Sequence, residues 1–256
     1  MSARGPLTLT VLGCAGSSYD ADLSHPCSSY LLETQEAAVM LDCGFGSFAS
    51  YLENAFTSRL DAIVVSHAHG DHSFDLEAFL TFPSAWRDVP RVLASQATLV
   101  ASSQLEVANA EVIVVDDGSD VVLDTFRVEC SRTTHQMPTL ATQISMNGRR
   151  VVYSADTGPG WHVPPSFRGP DLAILECTIE TRDGDSSPFH LDSEEVAALA
   201  QSLEAQRTLL THLPVHADGS ARLVRAMGAA PRRDFLLAVT GQRHVIEPPF
   251  EADGYR

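Results

Sequence analysis

The run His67-Ala-His69-Gly-Asp71-His72 is the feature that most restricts what this chain can become. Three imidazoles and a carboxylate follow directly on the apolar run Leu60-Asp61-Ala62-Ile63-Val64-Val65-Ser66. That run reads as a buried strand, rich in aliphatic and β-branched residues. A strand that ends in ligand-type side chains puts them at the carboxyl edge of a sheet, where open α/β sheets place their sites. In an extended segment His67 and His69 point to the same side. Gly70 lets the chain turn, so that Asp71 and His72 aim at a second point. One cation cannot readily take all of these groups from so short a stretch. Two adjacent cations can, with two ligands each.

Such a site needs ligands from elsewhere, and the chain offers three. His135 follows the strand-like run Phe126-Arg127-Val128-Glu129-Cys130. Asp156 follows Arg150-Val151-Val152-Tyr153-Ser154-Ala155. His212 follows Arg207-Thr208-Leu209-Leu210-Thr211. Zinc accepts imidazole nitrogen and carboxylate oxygen at about 2.0–2.2 Å. Two metals about 3.5–4 Å apart can share a hydroxide and clamp a substrate oxygen.

Taken together, His67, His69, Asp71, His72, His135, Asp156 and His212 resemble the ligand set of the metallo-β-lactamase-fold hydrolases. The Ser154-Ala155-Asp156-Thr157 segment is similar to that family's bridging-Asp turn. The resemblance implies a four-layer αββα sandwich, with residues 1–256 as one α/β domain. It implies one zinc on His67, His69 and His135, a second on Asp71, His72 and His212, and Asp156 as the bridge. The donor types suit Mn2+ or Fe as well.

Two further segments resemble the ribonuclease Z-like branch of the family. Phe189-His190-Leu191-Asp192 is similar to a His-containing segment before the last ligand. Leu175-Glu176-Cys177-Thr178 is similar to a Glu-Ala-Thr segment. The resemblance implies that Glu176 orients His190 and favours its protonated form, since a carboxylate neighbour stabilises imidazolium. His190 would then assist a phosphoryl oxygen or the leaving group, while Asp71, besides ligating, would orient the hydroxide. Leu41-Asp42-Cys43-Gly44 resembles the branch's Asp turn, so Asp42 is expected to hold a ligand imidazole. Members of the branch are often dimers, and a homodimer is among the expectations.

The branch's transfer-RNA-processing members carry a long arm between the His and the bridging Asp. Here the Asn147-Gly148 pair between two β-rich runs signals a hairpin that fills most of the interval from His135 to Asp156. There is no room for the arm. The net charge of −16 also repels a long polyanion, and the cations are all Arg, the chain having no Lys. These features favour a small-molecule phosphodiester such as a 3′,5′-cyclic nucleotide over long nucleic acid. The alternatives are a ribonuclease Z-like RNA nuclease, a lactonase, thioesterase or other ester hydrolase on the same centre, and a non-catalytic metal-binding homologue.

No apolar stretch approaches the ~20 residues of a membrane span. The segment Met1-Ser2-Ala3-Arg4-Gly5-Pro6 lacks a signal-peptide core, and five scattered cysteines without a Cys-x-x-Cys pair indicate no disulfide framework. A cytoplasmic location is the expectation. The pattern predicts strands at 7–12, 29–33, 38–42, 60–66, 171–176, 207–211 and 234–239. It predicts helices at 47–57, 73–81, 192–204 and 217–228, the third capped by Asp192 or Ser193. The Gly/Pro-rich loop 157–170, with Trp161, His162 and Phe167, is read either as a lid or as packing anchors. His25, His162, His216 and His244 have no assigned role, His216 being the best placed to approach the site.

Overall fold

The computed structural model describes residues 5–16, 25–55, 59–82, 89–101, 110–179 and 187–247. The chain runs β1 (Leu7–Gly13), β2 (Ala15–Gly16), β3 (Ser29–Glu33), β4 (Ala38–Leu41), α1 (Ser47–Asn54), β5 (Ala62–Val65), α2 (Gly70–Ser73), α3 (Leu76–Thr81), β6 (Arg91–Ala94), α4 (Gln96–Ala101) and β7 (Val112–Val114). It continues through β8 (Asp120–Leu123), β9 (Phe126–Arg132), β10 (Leu140–Met146), β11 (Arg149–Tyr153), β12 (Leu172–Glu176), α5 (Ser193–Leu203), β13 (Arg207–Thr211), β14 (Leu213–Pro214), α6 (Gly219–Ala229), β15 (Asp234–Leu237) and β16 (Arg243–Ile246).

Two seven-stranded sheets form, in the orders β16-β1-β3-β4-β5-β6-β7 and β15-β13-β12-β11-β10-β9-β8. In the first, β4 to β7 are parallel; in the second, β11, β12, β13 and β15 are parallel. The side-chain period of two sorts each strand between two cores. Ala62 and Val64 of β5 face the other sheet, as do Leu172 and Ile174 of β12. Ile63 and Val65 face the opposite way, under Tyr51 of α1 and Phe79 of α3. Ala173 and Leu175 face Val196, Ala200 and Leu203 of α5 and Ala226 of α6. Strands sandwiched this way must be apolar on both faces, which is why 60–66 and 171–176 read as nearly continuous apolar runs. The layers are therefore helix, sheet, sheet, helix, and the fold is the αββα sandwich.

Local chemistry explains the boundaries. Asn147 and Gly148, both at positive φ, turn β10 into β11 as a two-residue hairpin. Asp192 caps α5 by accepting from the backbone of Glu194 and Glu195, while Glu195 returns a bond to the Asp192 N–H. The strand expected at 38–42 stops at Leu41 because Asp42 is left-handed (φ 58). The helix expected at 73–81 is instead two pieces, α2 and α3, with α2 starting immediately after His69. Asp71 and His72 thus sit on a helical turn. The helix expected at 47–57 ends at Asn54, Ala55 being extended; residues 56–58 lie outside the described residues. Strand β16, which the pattern leaves unread, closes the first sheet against β1.

The loop 157–170 serves as a packing element. Trp161 and Phe167 are buried in the core under α5, their rings 6.2 Å apart and edge-on, and Trp161 Nε1 donates to Ser131 Oγ at 3.2 Å. His162 alone of the three is exposed. Trp161→Ala should therefore cost about 3–5 kcal/mol of stability, read by denaturant unfolding, with KM unchanged. A raised KM at unchanged stability would restore the lid. Among the described residues no helix is long and apolar enough to cross a membrane.

Candidate metal centre

The carboxyl ends of both sheets meet at one place, and the chain empties its ligand-type side chains there. His67 and His69 follow β5, Asp71 and His72 lie on α2, and His135 sits in the β9–β10 connection. Asp156 follows β11, Glu176 ends β12, His190 precedes α5 and His212 follows β13. Three of these exits need a left-handed non-glycine residue: Asp42 (φ 58), Ala155 (φ 51) and His212 (φ 57). Each such residue costs about 1–3 kcal/mol, and such strain clusters at functional sites. At Gly44 the chains touch so closely that a Cβ would lie 2.1 Å from the Asp71 carbonyl oxygen.

The donor atoms gather around the Asp156 carboxylate in two main groups, and His190 offers a further donor beside Asp156 and His212. His67 Nε2 lies 3.0 Å from His69 Nδ1, which lies 3.3 Å from His135 Nε2. Both His67 Nε2 and His135 Nε2 are 3.7 Å from Asp156 Oδ2. On the other side His72 Nε2 is 3.1 Å from His212 Nε2. These two nitrogens are 3.1 and 3.2 Å from Asp156 Oδ1, and His212 Nε2 is 3.3 Å from Asp71 Oδ2. Four donors at about 2.1 Å around a tetrahedral ion are about 3.4 Å from one another, so both groups have the spacing of a coordination shell. Asp156 Oδ1 is buried and has no hydrogen-bond partner, a costly state for a carboxylate oxygen unless a cation takes it. The residues present fit bound metal, His67, His69, His135 and Asp156 offering one group of donors and Asp71, His72 and His212 another.

Charge supports the same reading. Burial and the neighbouring imidazoles His72 and His135 drive His67 well below its ordinary value, so its lone pair is available. Burial opposes ionisation of Asp71, yet His72 and His212 hold it below the usual carboxylate range. Burial lowers His72 too, but Asp156, Asp42 and Asp71 outweigh it and raise its proton affinity well above normal. Of these, Asp156 and Asp71 lie on the Nε2 side of His72, where they would equally hold a metal cation in the proton's place.

The imidazoles are oriented from behind. His72 Nδ1 donates to Asp42 Oδ2 at 2.7 Å, and Asp42 also accepts from Ser66 N, Ser66 Oγ and Tyr153 Oη at 2.7–2.8 Å. His135 Nδ1 donates to the Phe189 carbonyl at 3.2 Å. The Gln136 side-chain amide lies 3.0 Å from His69 Nε2. His190 Nδ1 donates to Glu176 Oε1 at 3.0 Å, and its ring stacks on that of His212 at 5.7 Å. Although burial pulls His190 down, the Glu176 hydrogen bond and charge push it up to about 9.

The structure thus brings together His67, His69, Asp71, His72, His135, Asp156, Glu176, His190 and His212, with Asp42 behind His72. It adds Ser66, Tyr153, Gln136 and Thr178, which motif reading passed over. Ser66 and Thr178 adjoin recognised motifs and were within reach; Tyr153 is an inward strand residue with no local mark. Of the unassigned histidines, His162 and His216 are exposed, His244 is buried on β16, and His25 lines a cavity of about 150 Å³ with Cys14 and Thr240. None belongs to the donor groups.

A family model described as the beta-lactamase superfamily domain matches residues 38–213. The chain belongs to the β-lactamase superfamily. It is 25% identical over 215 residues to a Bacillus subtilis (strain 168) protein named probable metallo-hydrolase YhfI, covering 81% of this chain and 87% of that one. The crystal structure of YhfI superposes with a TM-score of 0.81 at 23% identity, over 94% of this chain and 99% of the other. Human tRNase Z, short form, superposes with a TM-score of 0.74 at 18% identity, over 94% and 100%. A diphosphatase from the PhnP family gives 0.73 at 18%, over 94% and 97%. These likenesses show that this superfamily chain has the metallo-β-lactamase fold, as the layer order requires.

Proposed function

We propose that the chain is a dinuclear metal-dependent hydrolase acting on a small phosphodiester, a 3′,5′-cyclic nucleotide being the substrate that fits best. The observation that carries this reading is the His190–Glu176 pair beside the Asp156 cluster. An ester or lactone hydrolase expels an alkoxide as well, so the pair marks a leaving-group acid, and the likeness of its two segments to the ribonuclease Z-like branch turns the reading towards a phosphodiester. Cleavage of a phosphodiester must protonate a departing alkoxide, and a positioned imidazolium does that.

His67, His69 and His135 would hold one cation and Asp71, His72 and His212 the other, with Asp156 shared between them. Zinc suits this donor set, and manganese or iron can use it. Bound there, two divalent cations supply Lewis acidity and lower the pKa of water. The other roles fall to the chain. Asp71 orients the attacking water. Asp42 fixes His72, so the lone pair of Nε2 points inward. Glu176 holds His190 through Nδ1, which leaves the Nε2 proton to be handed to the departing O3′ as the P–O3′ bond breaks. Solvent then reprotonates Nε2.

Substrate size follows from the hairpin and the charge. β10 and β11 occupy the interval between His135 and Asp156, so no arm emerges there to grip RNA. The net charge of −16 disfavours a long polyanion. Two solved neighbours are named a tRNase and a diphosphatase, and a phosphorylated substrate is in keeping with those names. The test is a substrate panel on metal-loaded protein: 3′,5′-cyclic AMP, a short single-stranded oligoribonucleotide, and a lactone or thioester. Turnover of the cyclic nucleotide is expected. Turnover confined to the oligoribonucleotide or to the ester would replace this reading.

A further inference from the structure

Two buried carboxylates do matching work on opposite sides of the cluster. Asp42, after β4 in the first sheet, holds His72 directly and reaches His67 through a hydroxyl. Ser66 Oγ donates to Asp42 Oδ2 at 2.8 Å and, having one proton, accepts from His67 Nδ1 at 3.0 Å. Glu176, ending β12 in the second sheet, holds His190 directly and reaches His212 in the same manner. Thr178 Oγ1 donates to Glu176 Oε2 at 2.6 Å and accepts from His212 Nδ1 at 2.8 Å. The two arrangements differ in one respect. Asp42 serves two imidazoles of the metal-type cluster, whereas Glu176 serves one such imidazole and the proton donor.

We propose that Thr178 is a positioning residue that ties His212 to His190 through Glu176, so that the second metal position and the proton donor are held as one unit. This rests on the dinuclear reading above. Three observations fix the hydroxyl in its role. The Thr178 N–H also donates to Glu176 Oε2, at 3.3 Å. Arg222, itself buried on α6, donates to the Thr178 carbonyl at 3.0 Å and to the Ile179 carbonyl at 3.5 Å, which pins the backbone. Glu176 is buried and takes further N–H bonds from Thr157 at 2.8 Å and Leu191 at 3.3 Å, so its carboxylate cannot swing.

The consequence is chemical. By accepting from Nδ1–H, Thr178 selects the His212 tautomer whose Nε2 lone pair faces Asp71 and Asp156. Without the hydroxyl, that N–H loses the acceptor it has here, and the imidazole gains by moving its proton to the nitrogen that should bind metal. The same loss removes a donor from Glu176, which then holds His190 in altered geometry. One substitution would therefore weaken one metal position and misplace the acid, leaving the other metal position intact.

The experiment is a Zn2+ titration of metal-free wild type, Thr178→Val, Thr178→Ala and Thr178→Ser against a chromophoric chelator, with 15N NMR of the histidine side chains and steady-state kinetics. Wild type should take two equivalents, and binding of the second should shift the His190 resonances. In the Val and Ala variants the first equivalent should bind as in wild type, and the second should bind about 10–100-fold more weakly, the range for loss of a group that orients a ligand. The His212 Nδ1–H signal should disappear, and kcat should fall with KM little changed. Thr178→Ser should restore all three readouts. Both equivalents binding with wild-type affinity in the hydroxyl-free variants would overturn the proposal, as would an equal loss of both. A wild-type protein that takes fewer than two equivalents would remove the dinuclear reading and this inference with it.

Discussion

Asp156→Ala is expected to abolish turnover and to weaken metal binding on the order of 10³-fold. Its carboxylate is almost wholly buried, with each oxygen beside a different group of imidazoles. Removing it takes one donor from both positions at once. It also removes the negative charge between two dications, whose repulsion in a buried site is then unopposed. Breaking a buried ionic arrangement by deleting one partner typically costs about 3–5 kcal/mol, and a tenfold change is about 1.4 kcal/mol. The measurement is metal content after dialysis, together with turnover by the reloaded protein. Asp156→Asn separates shape from charge: it keeps the volume and should lose nearly as much. Wild-type activity in either variant would contradict a bridged pair of cations.

His190→Ala should lower kcat by about 10²-fold or more while both metals remain bound. The pH dependence gives the sharper readout. A general acid must be protonated, so kcat of the wild type should fall as pH rises through the His190 value, and that limb should vanish in the variant. Glu176→Gln should move the limb to lower pH, because the carboxylate is what raises the imidazole. In metal-free protein the sign for stability is the same. The folded value, about 9, lies above the ordinary 6.5. The stabilisation is thus complete below pH 6.5 and is lost as pH climbs through 9. Melting temperatures of metal-free wild type and His190→Ala should therefore converge at high pH. A variant that loses stability but retains kcat would show that His190 is only a packing residue.

What the sequence disclosed was mostly local. The His67-to-His72 run announces itself because its ligands sit within a few residues of one another, and a strand end fixes their direction. Asn147-Gly148 and a helix cap at Asp192 or Ser193 are legible for the same reason, their physics being complete within a few residues; that Asp192 is the cap and Glu195 its partner is settled by the structure. That His212 completes the group begun by Asp71 and His72 was legible only through family resemblance, since His72 and His212 meet across 140 residues of chain. The contacts that motif reading passed over are longer-range still or lack a motif. Tyr153 reaches Asp42 from the opposite sheet, 111 residues away. Trp161 and Phe167 look like candidates for a mobile loop by composition, yet α5 and β12 give them a core to fill. Strand β16 is too short to carry a periodic signal, and only its pairing with β1 defines it.

The most direct test of the account is a crystal structure of zinc-loaded protein with anomalous differences collected across the zinc edge. Two peaks about 3.5–4 Å apart are predicted, one enclosed by His67, His69 and His135, the other by Asp71, His72 and His212, with one Asp156 oxygen on each. A single peak, or two peaks with Asp156 bound to neither or to only one, would contradict the bridged centre on which the proposed chemistry stands.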